Sequence, residues 1–251
     1  SLVGSEMCIR DRGNTLIKTA VIDGDRIMDQ RRTANATDYF IDRLLSDYPS
    51  IDKAIVASTG PGGERVCGML DGRVGYLLHF SPDTAVPLEN GYGSPQTLGA
   101  DRLASAVGAY ALYGRRNMLI VDYGTAITFD VIADGVFLGG NISLGLGSRL
   151  RALHEYTAKL PLCEPTDEVR LFGTTTESAI EQGAMSGIVY ETEGYIAALS
   201  EKYEDLCIIF TGGDAKYFVK RIKNTIFANC DLTVCGLNII LEYNAAKISG
   251  K

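Results

Sequence analysis

The sequence predicts an α/β protein built from two related halves. Strand-like and helical segments alternate along the 251 residues, and each half opens with strands that are joined by short turns. The order Asp, any residue, Gly, then a polar or hydroxyl residue occurs in DRGNT at 11–15 and again in DYGT at 122–125. An echo over so long a distance favours two related halves over a short-repeat solenoid.

The first half contains a predicted β-hairpin. Apolar alternation in TLIKTAVIDGDRIM, residues 15–28, brackets the pair Asp23-Gly24, which is typical of a tight hairpin turn. Apolar residues then recur at helical spacing in TDYFIDRLLSDY at 37–48, and KAIVAST at 53–59 has the composition of a buried strand. We therefore expect the order strand, strand, helix, strand.

The second half repeats this plan. RNMLIVDYGTAITFDVIADGVFLGGNI, residues 116–142, predicts three strands with turns at Gly124 and at Asp134-Gly135. Helical patterns follow around RLRALHEYTAKL at 149–160 and from Glu177 to Tyr203. A strand, CIIFTGG at 207–213, and a last helix, GLNIILEYNAAK at 236–247, complete the half.

The proposed domain boundary follows from these patterns. We expect a first domain over residues 1–116 and a second over 117–251, with the last helix, 236–248, packing back on the first domain. One segment conflicts with the scheme, because SLVGSEMCIRDR at 1–12 places Arg10 and Arg12 beside Asp11. A buried central strand should not carry two unpaired cations. We interpret residues 1–12 as a segment that is not native coding sequence, with Asp11 correct in type.

Composition limits the function. With 46% apolar and 22% charged residues, the chain has the composition of a soluble globular protein with a sizeable core. Its net charge of −7 argues against nucleic acid and anionic membranes as partners, since both require a basic surface. The sequence has no long apolar run typical of a membrane span. Its six widely spaced cysteines form no CxxC pair, which favours reduced thiols in a cytoplasmic protein.

The two glycine loops indicate chemistry. A buried strand that ends in Asp-x-Gly-Thr places backbone N–H groups and a hydroxyl around one point, with a carboxylate beside it for a cation. Either loop alone is compatible with an ordinary β-turn that needs glycine. The two together, with Gly212-Gly213 after a third strand, favour a site for a polyphosphate and its metal.

Six segments in order resemble type III pantothenate kinases. They are DRGNTLIK, GADR at 99–102, VDYGTAITFD, GGNISLGLGSRLRAL, TTTESAIEQG and FTGGDA, and the resemblance covers the chain from residue 11 onward. It implies the acetate and sugar kinase/Hsc70/actin fold, which has two ribonuclease-H-like domains with a nucleotide cleft between them. It also implies ATP-dependent phosphorylation of pantothenate to 4′-phosphopantothenate, the first step of coenzyme A biosynthesis.

The resemblance assigns residues to ATP and its metals. Those that match the ATP-binding positions are Asp11, Gly13, Asn14, Thr15, Lys18, Thr125, Gly212 and Gly213. Asp11 lies near magnesium in the family pattern. Asp122 matches the position that holds a monovalent cation, potassium or ammonium. The implied cofactors are therefore ATP, Mg²⁺ and K⁺ or NH₄⁺.

The resemblance also assigns the acceptor side. The positions that match pantothenate contacts are Tyr92, Gly99, Asp101, Arg102 and Thr176. Arg102 suits the pantothenate carboxylate because a guanidinium fork binds carboxylates well. By itself, Asp101 would be interpreted as the N-cap of the helix that follows. The resemblance instead implies that Asp101 is the general base, whereas His79 and His154 have no assigned role.

Three functions follow from these observations. The leading one is pantothenate kinase, with a homodimer implied by the resemblance and the substrate pocket near its interface. A second is a non-catalytic regulatory relative that keeps the nucleotide site and acts through a protein or DNA partner. The third is a sugar or other small-molecule kinase of the same superfold. GADR and Tyr92 favour the first over both alternatives, and the acidic charge argues against DNA.

Overall fold

The computed structural model describes residues 5–12, 16–34, 36–58, 62–114, 116–168, 170–248 and 250, with the side chains of residues 5, 10–12 and 16 outside the description. The chain divides into two compact units. Unit 1 comprises Ser1–Leu112 and Leu232–Lys251, and unit 2 comprises Tyr113–Asp231.

Unit 1 has a five-stranded sheet in the order β3-β2-β1-β4-β5. Strands β1, β2 and β3 are antiparallel to one another, whereas β4 and β5 run parallel to β1. Its elements are β1 (Ser5–Arg12), β2 (Leu16–Asp23), β3 (Arg26–Thr33), α1 (Asp38–Asp47), β4 (Ile51–Ser58), α2 (Gly62–Leu70), β5 (Tyr76–Phe80), β6 (Glu89–Asn90), a 3₁₀ helix (Pro95–Thr97), α3 (Ala100–Leu112) and, from the end of the chain, α7 (Leu232–Ile248).

The predicted hairpin is confirmed. Strands β2 and β3 meet through Asp23 opposite Arg26, and Gly24 between them has a φ of 60°, a conformation that glycine adopts without steric cost. Residues 5–12 form the central strand β1, in which Met7 and Ile9 are fully buried. The side chains of Arg10 and Arg12 lie outside the described residues, so their conflict with this strand stays a sequence observation.

Unit 2 repeats the strand order, with β9-β8-β7-β10-β11. Strands β7, β8 and β9 are antiparallel, and β10 and β11 run parallel to β7. Its elements are β7 (Met118–Tyr123), β8 (Ala126–Ala133), β9 (Val136–Leu144), α4 (Leu146–Glu155), α5 (Thr176–Lys202), β10 (Cys207–Thr211), α6 (Ala215–Phe218) and β11 (Ile226–Ala228). The repeat expected from the Asp-x-Gly echo is thus a repeat of topology.

Two helix boundaries differ from the sequence prediction. Helix α4 begins at Leu146 and ends at Glu155, earlier than the predicted 149–160, because Gly145 serves as its N-cap and Tyr156 as its C-cap. Helix α7 begins at Leu232, before the predicted 236. Helix α5 follows the prediction closely, and a capping box between Thr175 and Ser178 fixes its start.

Helices α3 and α7 pack closely within unit 1. A Cβ on Gly236 would overlap the carbonyl of Ala104, and a Cβ on Gly108 would lie 2.5 Å from the carbonyl oxygen of Leu232. The two glycines therefore allow the helix backbones to touch. The hydroxyls of Ser105 and Thr233 are 2.7 Å apart at the same contact. This packing fixes α3, whose first turn carries GADR.

Candidate functional site

The second glycine loop begins at the end of β7. All six residues of β7 are buried, and Asp122 near its end is 7% exposed. In the sheet, Asp122 lies opposite Thr128 of β8 and opposite Thr211 of β10. The loop thus places a buried carboxylate between two hydroxyl-bearing residues, as its strand-turn-strand sequence suggests.

Gly212 packs directly on this carboxylate. It follows Thr211 with a φ of 93°, which disfavours any side chain, and a Cβ there would overlap both Oδ1 of Asp122 and the carbonyl oxygen of Tyr123. A carboxylate oxygen and a carbonyl oxygen therefore converge at one small space. Hard oxygens of this kind are suitable ligands for a monovalent cation.

Asp214 closes the same loop. Its backbone N–H donates to the carbonyl of Tyr123 at 3.1 Å, which ties the residues after β10 to the end of β7. Partial burial raises the pKa of the Asp214 carboxyl, and the neighbouring Lys216 lowers it to a smaller extent. Asp214 was not among the residues predicted from sequence, although its place after Gly212-Gly213 in FTGGDA was a signal.

Most of the first glycine loop lies outside the described residues. This applies to Gly13, Asn14 and Thr15, and to the side chain of Asp11. The backbone of Asp11 is paired with Ser58 of β4, in the register that pairs Asp122 with Thr211 in unit 2. Lys18 is half-buried on β2.

The GADR segment forms the start of α3. The carbonyl of Gly99 accepts from the N–H of Arg102 at 3.0 Å and from that of Leu103 at 3.3 Å. The helix begins at Ala100, so Asp101 is its second residue rather than its N-cap. Oδ1 of Asp101 accepts the N–H of Arg102 at 3.0 Å and lies so close to Gly99 that a Cβ there would be 2.7 Å away. The sequence prediction that these residues act together agrees with their proximity.

Arg102 and Tyr92 are in contact. The Arg102 guanidinium carbon is 5.4 Å from the centre of the Tyr92 ring, and Arg102 is 6% exposed. A cation over an aromatic face is a stabilising arrangement. The backbone N–H of Tyr92 is held by the side chain of Asn90 at 3.0 Å. Three predicted acceptor residues, Tyr92, Gly99 and Arg102, are thus brought together with Asp101.

A cavity of about 500 Å³ adjoins GADR in unit 1. Gly99, Ala100 and Leu103 form one wall. The rest of the lining is mixed, with the polar residues Ser58, Glu64, His79, Ser81, Asn90, Gln96 and Thr97 and the apolar residues Phe80, Pro82, Pro95 and Leu98. His79, which the sequence analysis left without a role, lies on this wall, and its Nε2 would be 3.4 Å from a Cβ on Gly63. The sequence signal for Ser58 was its place in VASTGPGG, which parallels IFTGG in unit 2.

Thr176 lies at a different cavity. It is the first residue of α5 and lines a space of about 890 Å³ in unit 2, together with Leu144, Arg149, Leu153, Tyr156, Leu160 and Ile180. The other predicted acceptor residues belong to unit 1. The structure therefore does not place Thr176 with them inside one unit.

The described residues contain no protein cage for a metal ion. Within the described ranges, no group of three or more His, Cys, Asp or Glu side chains is placed to hold a metal ion. Magnesium that accompanies a nucleotide is generally held by substrate phosphates with one or two carboxylates. The oxygens of Asp122 and Tyr123 at Gly212 fit a monovalent cation. In the described part of the chain, no helix has the length and apolar character of a membrane span.

Comparison with known proteins decides the family. The family model for type III pantothenate kinase matches residues 7–198. The chain belongs to the type III pantothenate kinase family. A protein named type III pantothenate kinase from Christiangramia forsetii is 41% identical over 237 residues, which are 93% of this chain and 97% of that protein. One of the same name from Phocaeicola vulgatus is 38% identical and covers 94% and 98% of the two chains.

Solved structures support the fold. A Campylobacter jejuni protein described as a conserved Baf family transcriptional activator is similar with a TM-score of 0.64 at 19% identity, over 95% of this chain and 98% of that one. The activator of 2-hydroxyisocaproyl-CoA dehydratase from Clostridium difficile gives 0.52 at 10% identity, over 98% of each chain. The predicted α/β fold of two ribonuclease-H-like domains in the acetate and sugar kinase/Hsc70/actin class is confirmed.

Proposed function

We propose that this chain catalyses the ATP-dependent phosphorylation of pantothenate to 4′-phosphopantothenate, the first step toward coenzyme A. Membership of the type III pantothenate kinase family across most of the chain supports the proposal. The observation that carries it is the Gly99–Arg102 segment, where the Asp101 carboxylate is held at the start of α3 and Gly99 lines an adjoining cavity.

Asp101 is the general base of the proposed reaction. The primary hydroxyl of pantothenate attacks the γ-phosphorus of ATP, its proton passes to the Asp101 carboxylate, and the bond from the γ-phosphorus to the bridging oxygen breaks to release ADP. The N–H of Arg102 donates to Oδ1 and restricts the rotation of the carboxylate. Phosphoryl transfer depends mainly on alignment and charge neutralisation, so one well-placed base suffices.

The acceptor binds to the proposed GADR pocket. Tyr92 and Arg102 form one stacked pair, and Gly99 leaves space beside Asp101. Ser58 and His79 extend the polar surface on which the amide and carboxylate of pantothenate would lie. Arg102 is buried, with its guanidinium over the Tyr92 ring. Thr176 is proposed as a further contact, from unit 2.

Residues of both glycine loops are proposed to bind ATP. Asp11, Gly13, Asn14, Thr15 and Lys18 would hold the phosphates, together with Thr125, Gly212 and Gly213. Thr125 is exposed at its turn and therefore accessible to a ligand. Mg²⁺ bound with ATP would supply charge neutralisation, with Asp11 near it, and Asp122 would hold K⁺ or NH₄⁺ against the carbonyl of Tyr123.

A cytoplasmic homodimer completes the proposal. Several large apolar side chains are exposed on unit 2, namely Ile142, Leu144, Tyr156, Leu171 and Phe172. Exposed apolar groups of this size mark interaction surfaces. Two of them, Leu144 and Tyr156, line the cavity that contains Thr176, so the proposed interface would adjoin Thr176. The acidic net charge of −7 argues against nucleic acid as a partner.

An ADP-release assay tests the activity. ADP production is measured with pantothenate, with glucose and without an acceptor, in potassium and then in sodium buffer. Release that depends on pantothenate supports the proposal, whereas release with glucose indicates a sugar kinase. Binding of ATP without release under any condition indicates the regulatory alternative.

Asp101→Asn tests the mechanism. Asn retains an oxygen that accepts the N–H of Arg102, so the start of α3 should remain intact. The rate of pantothenate phosphorylation should fall about 10²- to 10⁴-fold, the usual contribution of a positioned base, with ATP binding nearly unchanged. Single-turnover phosphorylation and nucleotide titration measure the two effects. Asp38→Asn, at the first residue of α1, is the matched control, and a rate for Asp101→Asn within a few-fold of the parent contradicts the general base.

A further inference from the structure

The carbonyl oxygen of Thr125 is held from a distant part of the sequence. It accepts two hydrogen bonds, one from the backbone N–H of Gly145 at 3.0 Å and one from the hydroxyl of Ser148 at 2.7 Å. Both donors belong to the start of α4, where Gly145 is the N-cap. The turn between β7 and β8 is therefore fixed through its backbone, while the Thr125 side chain stays exposed.

The contact is too close for a side chain at 145. A Cβ on Gly145 would overlap the carbonyl of Gly124 and lie 2.7 Å from the carbonyl oxygen of Thr125. The start of α4 thus lies directly against the glycine turn. Ser148 is the residue there whose side chain reaches the turn, and its hydroxyl adds a bond that the backbone alone does not supply.

The start of α4 is itself anchored. Arg149 donates through Nε to the carbonyl of Leu144 at 2.9 Å and through a terminal nitrogen to the hydroxyl of Ser143 at 3.0 Å. The same guanidinium pairs with Glu191 of α5. These bonds hold the start of α4 against the end of β9 and against α5. The hydrogen bond from Ser148 therefore holds the carbonyl of Thr125 against a fixed helix start.

We propose that Ser148 is a positioning residue for nucleotide binding, acting through the carbonyl of Thr125. Its hydrogen bond keeps the Gly124-Thr125 turn in the conformation that presents the Thr125 N–H and hydroxyl to the phosphates. The inference rests on the proposed role of Thr125 in ATP binding. Ser148 is not among the residues proposed for the acceptor side, which are Tyr92, Gly99, Asp101, Arg102 and Thr176.

Ser148→Ala is the direct test. Loss of one hydrogen bond to the turn should raise the dissociation constants of ADP and of a non-hydrolysable ATP analogue by about 3- to 10-fold, measured by calorimetry. The KM for ATP should rise in parallel. The kcat at saturating ATP and the KM for pantothenate should stay within about twofold, because the Ser148 hydroxyl affects nucleotide binding and not the phosphoryl-transfer step. Ser148→Thr, which keeps the hydroxyl, should restore nucleotide affinity.

Thr37→Ala is the matched control. It removes one hydroxyl at the start of α1, where Thr37 accepts the N–H of Phe40 at 3.2 Å, and should change thermal stability without changing nucleotide affinity. Nucleotide affinity in Ser148→Ala equal to that in Thr37→Ala overturns the inference. If Ser148→Ala does not fold, Ser148→Cys, a weak donor of similar size, takes its place with the same criterion.

The two proposals fail separately. A parent protein that binds nucleotide but does not phosphorylate pantothenate refutes the proposed function, and the affinity comparison at Ser148 still decides the inference. A parent that phosphorylates pantothenate, with a Ser148→Ala variant of normal nucleotide affinity, refutes the inference alone.

Discussion

Each unit has an aspartate near the end of its central strand, and the residues that follow the neighbouring strand differ between the units. Asp11 of β1 lies opposite Ser58, and Asp122 of β7 lies opposite Thr211, each in a parallel pair at the centre of its sheet. After Thr211 the chain turns through Gly212, which touches the Asp122 carboxylate. After Ser58 the chain instead has TGPGG, and helix α2 begins at Gly62.

The two strand ends have the same position in the sheet but different surroundings. In unit 2, Gly212 packs closely against the Asp122 carboxylate and the carbonyl of Tyr123, the residues proposed to hold a monovalent cation. In unit 1, Ser58 lines a cavity of about 500 Å³ next to GADR. The repeated fold therefore supplies equivalent strand ends, and the surroundings of the two ends differ.

The largest expected effect is the loss of stability when Gly212 is replaced by alanine, compared with the same replacement at Gly63. Gly212→Ala should destabilise the protein by roughly 2–4 kcal/mol, because it combines a positive φ with overlap on Asp122 and Tyr123. Gly63→Ala should cost less, roughly 1–2 kcal/mol, because its Cβ would lie 2.5 Å from the Cβ of Ser58, which moves only with the backbone, but no positive φ adds to the cost. Denaturant unfolding of both variants measures the difference. An equal loss of unfolding free energy in both variants would contradict the expected difference in packing at the two strand ends.

Asp122→Ala should have the next largest effect. Removing the buried carboxylate should reduce the activation by potassium by about tenfold while changing the KM for pantothenate little, because Asp122 is proposed as a cation ligand and not as an acceptor contact. Initial rates across a potassium titration, with pantothenate varied separately, check this. Asp130→Asn, a buried acid on the adjacent strand, is the comparison variant. Unchanged potassium dependence would remove Asp122 from the cation site.

The smallest effect concerns pH. Burial raises the pKa of Asp214 in the folded protein, so the neutral form is favoured by folding and its contribution to stability is lost as pH rises through the folded pKa. Asp214→Asn should therefore raise the Tm at neutral pH, with a difference that shrinks as the pH falls through the raised pKa of Asp214 and the parent becomes protonated. Thermal melts across this range check the sign, and Asp71→Asn in an exposed turn is the control. A constant difference at all pH values would assign the effect to something other than titration.

The sequence predicted local structure well. The turns at Asp23-Gly24 and Asp134-Gly135 and the three strands around DYGT follow from apolar alternation and glycine, which depend on neighbouring residues. The order of the motifs also identified the family. Helix starts were less accurate, because at Leu146 and Leu232 the apolar pattern gives no sharp boundary.

The sequence alone determined the alternation of elements, the repeat of Asp-x-Gly and the residue types available for phosphate, cation and acceptor. Tertiary structure decided which of them meet. Gly212 reaches Asp122, Ser148 reaches the carbonyl of Thr125, and His79 joins the cavity beside Gly99. These contacts join residues that are far apart in the chain, and their selection depends on sheet register and close packing of whole elements, which no local pattern encodes.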